Sequence, residues 1–152
     1  MRMRALLGCA GLVLVAPTGC AGQTETYCDT LRDQQSALTG LAEGSADPGA
    51  GMLGDGLAVF RDLRAEAPDD IRDEWDTFYF AWEGLADAFE TAGTTPQEYR
   101  PGGDSPGVSE AEADAIADAA AELGSARVVD AGAGIQLHAQ DVCDVDLGLD
   151  AV

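Results

Sequence analysis

The chain has no lysine and no asparagine, one histidine, and four cysteines in 152 residues. One histidine cannot build a HExxH or two-histidine zinc site. No serine stands in GxSxG. Basic residues number 8 against 28 acidic ones. A surface of that sign excludes nucleic-acid backbones, whose binding needs Lys and Arg, and argues against docking on anionic lipid. A GC-rich coding bias and solubility explain the acidity more simply than a dedicated cation site. No metal site, cofactor site or enzymatic activity is expected.

Long apolar runs are also missing. Ala5 to Ala16 is the longest, and its 12 residues fall short of the roughly 20 that span a bilayer as a helix. Arg2 and Arg4 precede it, and Pro17, Thr18 and Gly19 follow. A charged start, a short greasy middle and a small-residue exit read as a secretory signal over residues 1–22, with a single helical domain over 23–152. A buried core helix is the competing reading.

Thr18-Gly19-Cys20 has the small residues that precede a lipid-modified cysteine, with Pro17 standing where a lipobox has leucine. Lipidation of Cys20 is the preferred reading, and a plain cut after Ala21 is the alternative. The first predicts anchoring on the outer face of the cell membrane, since several acyl chains hold firmly; the second predicts a secreted protein. Loss of the two leader arginines takes the net charge from −20 to −22.

Cys9 leaves with the leader. Cys28 and Cys143 remain, and an even pair in an exported protein is expected to form a disulfide. Free thiols or intermolecular pairing are the alternative.

The remainder is patterned for helices. Helix 1 is expected over 27–43, on a stripe through Cys28, Leu31, Gln35, Leu38 and Ala42, and helix 2 over 51–66, its face marked by Leu53, Leu57, Phe60 and Ala67 and helped by Leu63. The strongest signal runs from Pro68, placed in a first helical turn, to Gly93. Ile71, Trp75, Phe78, Trp82, Leu85 and Phe89 recur at spacings of three and four, marking the centre of the core. Ser109 and Glu112 form a capping box for helix 4. Gly124 breaks the pattern, and Ser125 caps helix 5, whose face holds Val128, Gly132, Ile135, Ala139 and Val142. No run alternates long enough for a strand. The fold class is all-α, a small helical bundle of about four to five helices closed by one disulfide.

That disulfide constrains the topology. Five up-and-down helices on short loops would put Cys28 and Cys143 at opposite ends. The Pro- and Gly-rich segment 93–108 is long enough to return the chain along the bundle, so it is expected to cross it, with helix 4 then rising or lying crosswise as a lid.

TYCDTL (26–31), APDDIRDEWDTF (67–78) and HAQDVCDVDL (138–147) resemble a set of small exported all-helical proteins and lipoproteins of actinobacteria. The likeness covers most of residues 20–149. It implies an address and a fold, and nothing chemical.

GAGMLG (49–54) fits GxGxxG but has no strand before it. His138 reads as a surface or boundary residue. Asp141, Asp144, Asp146 and Asp150 lack EF-hand spacing and read as a solvated tail with at most weak Ca²⁺ attraction. Asp69, Asp70, Asp73, Glu74 and Asp76 serve the dipole of the central helix more simply than acid–base chemistry. Phe80 falls opposite the apolar stripe, among Asp73, Asp76 and Asp87. It is expected either to be covered within the fold or to be an exposed contact point for a partner. The expected function is a non-enzymatic module, tethered by lipid, that binds a basic envelope protein. The alternative is a binder of a small apolar ligand or lipid in the bundle core.

Overall fold

The computed structural model describes residues 19–42, 51–103 and 105–147. It is all-α, with five helices, the Cys28–Cys143 disulfide, and no strand among the described residues. The helices are α1 (Gly19–Ala42), α2 (Leu57–Glu66), α3 (Arg72–Thr91), α4 (Glu110–Leu123) and α5 (Ala126–Cys143). One π-helical turn, Gly51–Gly56, leads into α2.

The start of α1 lies beside the end of α2. There Gln23 Nε2 donates to the Ala67 carbonyl, and Thr30 Oγ1 to the Glu66 carboxylate. Alpha1 begins eight residues before the expected boundary. No proline interrupts the chain after Pro17, and the added turns are held by Gln23 bonding to Ala67 and by the Thr26 hydroxyl donating to the Gly22 carbonyl.

Alpha2 turns back into α3 through residues 67–71. Pro68 does not open α3 as expected. Its carbonyl accepts from Ile71 N at 3.1 Å, so it belongs to the turn, and the helix starts at Arg72 with Asp73 and Glu74 at its positive end. On α3, Trp75, Tyr79, Ala81, Leu85 and Phe89 are buried, whereas Phe78 and Trp82 are half-buried. Phe60 of α2 meets Trp75, Phe78 and Trp82 at ring separations of 5.1–6.5 Å.

Segment 93–108 does not cross the bundle. Gly93, at φ +60°, ends the helix in the left-handed region that suits glycine. Thr94 N then bonds back to Phe89 O, Tyr99 stacks edge-on to Phe89 at 5.7 Å, and its hydroxyl reaches Ala113 O. The segment thus stays at the far end of α3. The parity problem is solved differently. Alpha4 packs on the second half of α3 and α5 on its first half, where Gly132 faces Phe78 and Gly134 faces Glu74. The two helices, broken at Gly124 and recapped by Ser125, together form one descending rung. Four rungs bring Cys143 back to Cys28.

Past α5, Asp144 turns left-handed, at φ 54°, and the chain folds back. Val145 and Leu147 are buried, so the acidic tail is docked rather than wholly solvated. Gln136 holds it, donating to Asp146 Oδ1 and accepting from Leu147 N. Val142 lies outside, 47 % exposed, and Cys143 takes its expected place on the buried face.

Candidate protein-contact surface

Phe80 is half exposed, on the outer face of α3. A helix advances about 100° per residue, so Asp73, Asp76, Glu83 and Asp87 share that face at spacings of three, four and seven. Arg64 reaches over from α2. Its guanidinium carbon lies 4.5 Å from the Phe80 ring centre and 5.3 Å from that of Tyr79, while its Nε pairs with Asp76. Cation–π attraction and the ion pair act together on one side chain. Tyr79 stands edge-on to Phe80 at 5.5 Å and donates its hydroxyl to Glu83 Oε1 at 2.7 Å. That donation, helped by burial, raises the Tyr79 phenol above its ordinary range.

One turn beyond Phe80 the same face opens into a shallow groove between α3 and α4. It has a volume of about 450 Å³ and is lined by Gly84, Ala88, Ala115 and Ala119 with Asp87 and Glu112. Sequence reasoning missed this groove. The signal was present: small residues four apart on both helices, Gly84/Ala88 and Ala111/Ala115/Ala119. The Glu112 carboxylate accepts from Ser109 N and Oγ, both at 2.7 Å. Those bonds, the backbone one first, hold its carboxyl below the ordinary range, so it stays charged in mild acid.

The cations of the described chain are already engaged. Arg32, Arg61, Arg64, Arg72 and Arg127 each pair with a carboxylate, and Arg100 donates to carbonyls of its own loop. From Ala81 to Thr91 and from Glu110 to Leu123 there are eight carboxylates and no basic residue.

At the opposite end lies a buried polar group. Trp75 Nε1 donates to Tyr27 Oη at 2.8 Å, and the His138 ring stands edge-on to Tyr27 at 5.6 Å. Burial pushes the Tyr27 phenol up to about 12, against the pull of the Trp75 hydrogen bond. Of the surface and boundary positions expected for His138, it takes the boundary one. Its side chain is only 10 % exposed, neither ring nitrogen has a hydrogen-bond partner, and Asp70 Oδ2 lies 3.6 Å from Nε2. This cluster holds the start of α1 against α3 and α5.

Among the described residues no group of three or more His, Cys, Asp or Glu is arranged to hold a metal ion. No described helix is long and apolar enough to cross a membrane. Cys20 is the second residue of α1. The GAGMLG stretch lies in part outside the described residues, and its positions 51–54 fall within the π-helical turn Gly51–Gly56. Asp150 also lies outside them. Phe80 and the groove share one helix face, whereas Cys28, Cys143 and His138 gather at the other end. No protein-family model, no curated protein and no solved structure matches this chain.

Proposed function

We propose that this protein is a non-enzymatic interaction module, carried on the outer face of the cell envelope by a lipid on Cys20, that binds a basic envelope protein through the acidic face around Phe80. The observation that carries the reading is the Arg64 contact. A guanidinium already rests on the Phe80 ring and pairs with Asp76, and that is the geometry a partner's arginine would adopt beside it. The excess of carboxylates over arginines favours a basic partner and speeds its approach. An anchor at Cys20 would join α1 in its first turn.

The test is a crosslinked pull-down from intact cells, comparing the wild type, Cys20→Ser and Phe80→Ala, with the intact mass of the bait read from the same sample. A lipid-sized mass increment and a partner lost in both variants are expected. An unlipidated bait that retains no partner sinks the proposal.

A further inference from the structure

We infer that the groove between α3 and α4 receives one amphipathic helix of a basic partner, its small residues seated on Gly84, Ala88, Ala115 and Ala119 and its lysines or arginines flanking Asp87 and Glu112. The inference rests on the interaction-module reading and names the occupant.

Four features of the groove select that occupant. It is open and shallow, so a small molecule would leave much of its surface in water, contrary to the burial such ligands need. Its lining is short side chains, and short side chains let a second helix approach to about 8–10 Å between axes. Its length is right: Gly84 to Thr91 and Ala111 to Ala119 line it, spans of about 10–12 Å at 1.5 Å per residue, or two turns of a docked helix. Its lining carries two carboxylates, Asp87 and Glu112, and no cation, so charge complementarity favours a positive partner. The outer face of α5 lacks that last feature. Val129 and Leu137 are exposed there, with no comparable charge to define what would cover them.

Gly84 supplies a clean probe. A Cβ built at Gly84 meets nothing within 4 Å, and replacing glycine in a helix interior favours the helix. Gly84→Leu is therefore expected to put a bulky side chain into the groove at no cost to the helix backbone.

The disulfide-bonded protein is titrated, by amide chemical-shift mapping, with a synthetic 14-residue helical peptide bearing an alanine face and lysine flanks. A peptide of the same composition in non-amphipathic order is the control. Shifts centred on Gly84, Ala88, Ala115 and Ala119 are expected. Binding should weaken about tenfold in Gly84→Leu at unchanged or raised Tm, weaken in Asp87→Arg, and fall with added salt. Equal binding of the scrambled peptide, shifts centred elsewhere, or indifference to Gly84→Leu would overturn the inference. Those outcomes leave the pull-down result standing. Conversely, a groove that takes the peptide while cells yield no Cys20-dependent partner breaks the module reading alone.

Discussion

The two ends of the bundle are built by different means. At the lower end, α1, α2, the first half of α3, α5 and the returning tail enclose fifteen buried residues, among them Trp75 and Tyr27, and the disulfide ties the first element to the last. At the upper end, only Leu85, Phe89, Ala92 and Ile116 are buried together, under a loop and an alanine-rich helix. Bulk and a covalent bond secure the first, whereas capping and loop anchoring secure the second. The difference teaches where the molecule has room to bind. The lower end leaves little unfilled, and the groove opens where small residues keep the packing thin.

Reducing the disulfide, or replacing both cysteines by serine, should have the largest effect. The bond spans 115 positions, and chain entropy puts such a closure at about 4–5 kcal/mol. A denaturant melt with and without reductant measures it. Trp75→Ala comes next, at about 3–5 kcal/mol, because it empties the lower core and leaves the Tyr27 hydroxyl without its donor. Ile116→Ala in the upper core should cost about 2–3 kcal/mol. The sharper readout is hydrogen exchange: α4 should lose protection while α1 and α5 keep theirs. If Ile116→Ala unprotects both ends equally, the division into two regions is wrong. Ser109→Ala, which removes the cap of α4, should cost about 1 kcal/mol and fray the same helix.

The two ends should also part company in pH. The Tyr27 phenol is raised from 10 to about 12. Its contribution is complete below pH 10 and is lost as pH rises through 12, because the unfolded phenol ionises first. The lower end is thus the alkali-sensitive one, and ultraviolet titration of wild type against Tyr27→Phe should show one late phenol. Glu112 has the opposite sign. Its carboxyl is held low by Ser109, so its contribution is present above the ordinary carboxylate pKa and fades as pH falls through the folded value. Protection of α4 should weaken first in acid.

Much of this was legible in the sequence. The stripe on α3 was, because 3.6-residue periodicity is a local property, and so was the Ser109–Glu112 capping box. The Cys28–Cys143 pair followed from even count and expected export. The early start of α1 was not, since Gly19 to Thr26 carry little apolar signal and are held in part by Gln23 reaching Ala67. Val145 and Leu147 were hidden by their neighbouring aspartates, the alternation being too short to read. The fourth rung was also hidden, because stacking α4 and α5 end to end along α3 is a tertiary relation that no spacing encodes. For the contact face, the 100° rotation placed Phe80 outside the stripe, but Arg64 sits sixteen residues away on another helix. The groove was invisible because alanines four apart look like helix filler until two such helices meet.

The disulfide makes most of the molecule a closed ring, running from Cys28 through every helix and back at Cys143. A protease that cuts once in the exposed stretch between α3 and α4 opens that ring without releasing a piece. The nicked protein should run as one species on a non-reducing gel and as two after reduction. Alpha4, the groove and Phe80 would all stay attached to the residues before Cys28, Cys20 among them. For a protein expected to live outside the cytoplasm, the bond then decides what survives damage as well as how firmly the fold is held.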